Sequence, residues 1–284
     1  MSETAQALDG VASQRRILFV DQIADGDLVL MAFKDPAPCY AITTEAPATA
    51  TSKVAAEPRC NVLDAALVTL PTLAQGTPFA ANQHFTEWMG KGDDTSAALV
   101  LVKYRGVELM WRPGRALLQC DSEQAESLLS AVVEFAHYEC ELWRIEDGIA
   151  NTWAELEQDK ALAFEVTPAD LERSAVVGAR MNRVLQRRIR LARIEPHLYE
   201  PAASLATAGR KLGEELREKA RIEARLESVD AQLEVFEGIY EMSGQRMGEY
   251  RAARQEHVLE WIIIVLLAAE MVLLLVQTVW KSGI

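Results

Sequence analysis

Residues 261–280 read WIIIVLLAAEMVLLLVQTVW, a run in which Glu270, Gln277 and Thr278 are the only strongly polar interruptions. At about 1.5 Å per residue a helix of this length reaches roughly 30 Å, the thickness of a bilayer's hydrocarbon core. A core helix of a soluble domain rarely stays apolar on every side for so long. Trp261 and Trp280 suit the two membrane interfaces, and Lys281 can snorkel. The expectation is one transmembrane helix over 261–280 followed by a short tail, 281–284. Arg246, Arg251 and Arg254 precede the span and Lys281 alone follows it. That asymmetry predicts a tail-anchored protein with the bulk of the chain on the cytoplasmic face.

Glu270 falls near the middle of the span, where a charged carboxylate costs on the order of 3 kcal/mol and the surrounding aliphatic residues outweigh it. Two readings stand: a protonated carboxyl bonding across an oligomer interface, or a neutral acid tolerated by local water. A proton pathway needs further ionisable groups at the same depth, and the span holds none.

The net charge of −13 is unevenly shared, since residues 1–160 carry 24 acids against 12 Lys and Arg, and the remainder 18 against 17. The acidic first half makes binding of nucleic acid through its own surface improbable, and no sequence-specific DNA binding is expected. Residues 1–14, with Glu3 and Asp9, lack the apolar or Arg-rich character of a targeting segment and predict a flexible N-terminus. The cysteines, at 39, 60, 120 and 140, have no CxxC spacing and best fit a reducing compartment.

Between these ends the patterning is α+β. RRILFVDQIADGDLVLMAF, residues 15–33, gives two short strands around a break at 24–27. A Pro-rich stretch, 35–58, reads as a loop with one strand near Cys39 to Ile42. Residues 97–111 form a hairpin over Tyr104 to Gly106, and ALLQC follows Pro113–Gly114 as a third run. Asp121 or Ser122 caps a helix over about 123–139. A sheet-containing domain over 15–160 is expected, then a helical stalk over 161–258, broken near Pro196 and Pro201. A heptad seam is clean only from Ile222 to Tyr240. An intermolecular coiled coil and a long helix packed on its own chain both account for it.

The most specific polar feature is a helix in which Arg180, Arg183, Arg187, Arg188, Arg190 and Arg193 follow one another without an acid. Arg180, Arg183, Arg187 and Arg190 share a sector of roughly 80° beside Val177, Met181, Val184 and Leu191, which makes a basic stripe on an amphipathic helix. Three roles compete for it: ion pairing with the chain's own acidic helices, contact with anionic lipid, or an acidic partner, either protein or RNA.

No nucleotide-binding, zinc-protease or serine-hydrolase motif occurs. His137, Cys140, Glu134 and Glu141 lie within two turns of one helix, but the imidazole and thiolate ligands of a structural metal site do not assemble there, and ordinary packing is the expected role. No catalytic residue, cofactor or metal is assigned.

The approach to the span, HVLEWIIIVLLAAEM, resembles the C-terminal signature of the "required for meiotic nuclear division" (Rmd/YagE) family, in which Leu-Glu-Trp precedes an isoleucine-rich membrane segment with a central Glu. Here these are Leu259, Glu260, Trp261 and Glu270. Tyr104, Gly106, Val107 and Trp111 loosely resemble the family's aromatic hairpin, and residues 169–189 its amphipathic helix. The family's Asp-x-Pro segment between the later helices is missing, which fits a divergent, shortened member. The resemblance implies a membrane-attached protein without an established catalytic activity, in a family with one mitochondrial branch linked to organellar translation; the lack of a transit signal favours a bacterial-type member.

The expected function is therefore a tail-anchored, oligomeric, non-catalytic scaffold or assembly protein. The rival is a membrane-attached enzyme with a motif-free ligand pocket in the α+β domain.

Overall fold

The computed structural model describes residues 13–44, 61–69, 83–90 and 99–282. The class is α+β: a seven-stranded sheet precedes helices, the last of them long and apolar. The chain divides into two compact units, Met1–Ala150 with Arg187–Ala231, and Asn151–Gln186 with Gln232–Ile284.

In the first unit, β1 (Ser13–Val20), β2 (Leu28–Phe33), β3 (Cys39–Thr44), β4 (Val62–Thr69), β5 (Val100–Tyr104), β6 (Val107–Arg112) and β7 (Arg115–Cys120) join in the order β2-β3-β1-β4-β7-β6-β5. Every pairing is antiparallel except that of β4 with β7, which sets Ala66 opposite Leu117. The hairpin of β5 and β6 turns at Arg105 and Gly106, whose φ values of 45° and 83° are the paired positive angles of a tight turn that follows strand twist.

β4 is an addition to the sequence reading. Its run VLDAALVT carries Asp64 where a buried strand wants an apolar residue, and the carboxylate is accommodated by the β1 guanidinium of Arg16 at 2.8 Å. Helix α1 (Gln83–Gly90) is a second addition. Phe85 and Met89 pack with Ala66, Val68, Met110 and Leu117 on one face of the sheet. Arg112 and Arg115 donate to the Met89 and Trp88 carbonyls, closing the helix's C-terminal end.

Helix α2 (Ala125–Ala150) follows Asp121–Ser122 as expected but runs past residue 139, because Leu142, Ile145 and Ile149 extend its buried surface. It is buried almost all round, with Phe135 edge-on to Trp111 at 4.8 Å. Cys140 on this helix is disulfide-bonded, whereas Cys39 and Cys120 are free thiols. This departs at Cys140 from the reducing environment expected of the cysteines. Disulfides form between residues the fold brings together, which spacing along the chain does not encode.

Helix α3 (Trp153–Asp159) leads through 3₁₀ turns at Lys160–Ala163 and Pro168–Arg173 into α4 (Ser174–Tyr199). The expected break at Pro196 does not occur. That proline sits inside the last turns of α4, between buried Ile194 and Leu198, and only the approach to Pro201 ends the helix. Helices α5 (Thr207–Lys219) and α6 (Ile222–Ser282) complete the fold. The heptad positions Ile222, Leu226, Val229, Leu233, Phe236, Tyr240, Ser243 and Met247 are all buried within the single chain. The seam is thus covered from within, as in a long helix packed on its own chain.

Candidate functional site: an exposed apolar helix and an arginine-locked acidic core

The span leaves its apolar side chains uncovered. From Trp261, two-thirds exposed, to Val276 every residue of α6 faces outward, and none of the most apolar stretch is buried. Elsewhere the large aliphatic residues are mostly inside, so this is a continuous apolar surface of the kind a bilayer covers. Glu270 is exposed in its middle. The side chain of Trp280 lies outside the described residues.

The basic stripe has acids of its own chain to meet. In the second unit Asp159 is fully buried and accepts from Arg173 at 2.8 Å and from Arg180; Arg183 reaches Glu155 at 2.6 Å. In the first unit Arg190 donates to the buried Glu141 at 2.6 Å, Arg188 meets Asp230, and Arg193 caps the Pro36 carbonyl at 3.0 Å. Arg187 lies against Gly148, where a Cβ would approach its Nε to 2.9 Å, so the glycine makes room for the guanidinium. Hydrogen bonding to Asp159 raises the pKa of Arg180 further, the direction expected of a paired cation.

Helix α2 brings a second set of acids inside: Glu134 and Glu141, which the sequence offers only as metal-ligand candidates, and Glu139, which it does not single out. Glu134 accepts from the Ala202 amide at 2.7 Å and from Arg217 at 3.3 Å; Glu139 accepts from Arg225 at 3.0 Å; Glu141 accepts from Arg144 as well as Arg190. Each buried carboxylate thus has a cation against it. Burial lowers the pKa of Arg217, while Glu134 raises it. The clue in the sequence was three glutamates inside the otherwise apolar AVVEFAHYECEL, each needing a cation supplied from far along the chain.

A cavity of about 90 Å³ opens beside Glu141, lined among others by Asp21, Cys39, Asn61, His137 and Arg190. His137 is stacked on Phe33 at 3.9 Å, and its Nε2 donates to the Asp35 carbonyl at 3.3 Å. Burial takes its pKa down to about 4 and the Cys39 thiol up to about 11, leaving neither an efficient general base nor a thiolate nucleophile near neutral pH. Of the four residues weighed as metal ligands, Glu134 and Glu141 are engaged by arginines and Cys140 by its disulfide. No group of three His, Cys, Asp or Glu side chains converges among the described residues.

Comparison of the chain with protein-family profiles and with curated sequences finds no match.

Proposed function

We propose that this chain is a membrane-anchored, non-catalytic assembly protein that works as a homo-oligomer, held to the bilayer by residues 261–280 with its folded units on the cytoplasmic side. The observation that carries the reading is the uncovered apolar surface from Trp261 to Val276, which water would penalise and a bilayer would cover. Arg246, Arg251 and Arg254 ahead of the span support the sidedness, whereas the disulfide at Cys140 speaks for an oxidising side.

The scaffold reading also draws on the interior. Glu141, Arg144 and Arg190 beside the cavity are occupied with one another, so the first unit's polar residues serve packing before chemistry. The rival enzyme reading has the cavity itself in its favour, but at about 90 Å³ it is well below the usual size of a substrate pocket. The resemblance of Leu259, Glu260, Trp261 and Glu270 to the Rmd/YagE C-terminal signature supports the same assignment, because that family's members are membrane-attached and without an established activity.

The test is crosslinking and affinity capture of the full chain from native membranes. The proposal expects tagged and untagged copies to be recovered together with a fixed set of membrane-associated partners. A strictly monomeric species that turns over a small molecule would contradict it.

A further inference from the structure

Just ahead of the span, the second unit forms a groove of about 480 Å³, lined by Leu171, Arg251, Arg254, Gln255, Val258 and Leu259. We infer that this groove binds the headgroup of an anionic phospholipid from the adjoining leaflet, with the two arginines on the phosphate and Val258 and Leu259 against the first part of the acyl chains.

The far wall is built rather than incidental. Asp170 accepts from the Thr167 amide at 2.9 Å and from its hydroxyl at 2.6 Å, closing the turn Pro168–Arg173, while Arg173 ties the same turn to the buried Asp159. These contacts hold Leu171 over α6. Ser174, at the start of α4, accepts from Arg251 at 2.5 Å and fixes that guanidinium at the groove's edge. Arg254 has no partner of its own among the described residues, so the groove offers an uncompensated cation.

Charge is sorted around the helix in the same sense. At about 100° per residue, the five α6 residues that line the groove share one sector of roughly 140°, whereas Glu249, Glu256 and Glu260 fall on the opposite side. Two of these acids are already met on that side, Glu249 by Arg246 at 3.0 Å and Glu260 by His257 at 3.0 Å. The groove therefore carries net positive charge although the chain as a whole is at −13.

Depth selects the occupant. Leu259 lies two residues from Trp261, and Arg254 precedes that tryptophan by about 10 Å along the axis, so its side chain is within reach of the headgroup layer. A basic pocket with an apolar floor at this depth matches an anionic lipid better than a soluble anion, which would have no use for Val258 and Leu259.

The inference rests on membrane insertion through 261–280, and the experiment separates the two. Full-length protein is reconstituted into nanodiscs of phosphatidylcholine and phosphatidylglycerol, released into mild detergent, and its retained lipid weighed by native mass spectrometry. Wild type should retain phosphatidylglycerol with an enrichment of roughly tenfold or more over its share of the bilayer, the scale expected of two arginines near a phosphate. Arg251→Gln with Arg254→Gln should abolish the enrichment, Arg251→Lys with Arg254→Lys should keep most of it, and Arg246→Gln, on the other side of the helix, should leave it unchanged. Equal retention of both lipids by wild type, or equal loss from the Arg246 variant, overturns the site while leaving the anchor intact. Failure of the wild type to enter nanodiscs overturns the anchor and the site with it.

Discussion

Arg217 donates from Nη2 to Oε2 of Glu134 at 3.3 Å, with side chains only 5% and 2% exposed, so a full ion pair sits inside the first unit far from water. The same Nη2 also donates to the His197 carbonyl at 2.7 Å, and Nη1 donates to the Gly213 carbonyl at 3.0 Å, which leaves the guanidinium little freedom. Removing one member of such a pair strands the other charge. Arg217→Leu or Glu134→Leu alone should each destabilise the detergent-purified protein by about 3–5 kcal/mol, whereas the double variant should recover a large part of that loss. Chemical denaturation of the four proteins measures the coupling, and additive losses would show that the two side chains do not act as a pair.

His137 makes stability depend on pH with a defined sign. Its folded pKa, brought down to about 4 by burial, lies below the unfolded value near 6.5, so the unfolded chain binds the proton first. The stability contributed by neutral His137 is complete above pH 6.5 and drains away as pH falls toward 4. His137→Phe, which keeps an aromatic ring on Phe33, should flatten the dependence of the denaturation midpoint between pH 6.5 and 5. An unchanged slope would assign it to another group.

The stripe arginines differ in what they hold. Arg180 is largely covered and bonds a fully buried carboxylate, whereas Arg183 is nearly half exposed and meets a partly exposed one. Arg180→Gln should destabilise the protein by about 1.5–3 kcal/mol in chemical denaturation, since Arg173 still meets Asp159, and Arg183→Gln by no more than about 1 kcal/mol. A large effect at Arg183 with no loss of stability at Arg180 would reverse this reading of the stripe.

The proposed homo-oligomer gives Glu270 a part in assembly that can be tested. With one candidate span among the described residues, the proposal draws the hydrogen-bonding partner at that depth from another chain, and each such bond is worth only about 1 kcal/mol, so a closed ring of them is needed to matter. Glu270→Leu should leave insertion intact and shift the solubilised complex to smaller species by native mass measurement, and Glu270→Gln should shift it less. Identical distributions would move the burden of assembly to the folded units.

What was legible in the sequence followed from local chemistry. Arg105–Gly106 and Pro113–Gly114 announced their hairpins because the turn residues are local, and the 261–280 run announced a span because length and apolarity suffice. β4 stayed hidden because Asp64 spoils its pattern and its reason, Arg16, lies on another strand. Pro196 misled because a proline near the end of a helix loses one hydrogen bond that the packing of Ile194 and Leu198 outweighs. The heptads were correctly placed, but periodicity does not say which chain covers them. The acids of α2 stood out in an apolar run, but their role was not legible there, since the partners that define it, Arg217 and Ala202 for Glu134, lie far along the chain.

Residues 261–280 are proposed to hold the folded units in a bilayer. Membranes from cells expressing the full chain, or the chain ending at residue 258, are washed with alkaline carbonate and sedimented, and the supernatant protein is examined for cooperative thermal unfolding. The full chain should stay in the pellet, and the shortened one should appear in the supernatant with a sharp transition. A shortened chain that remains carbonate-resistant, or a full chain that washes off, would contradict the anchor.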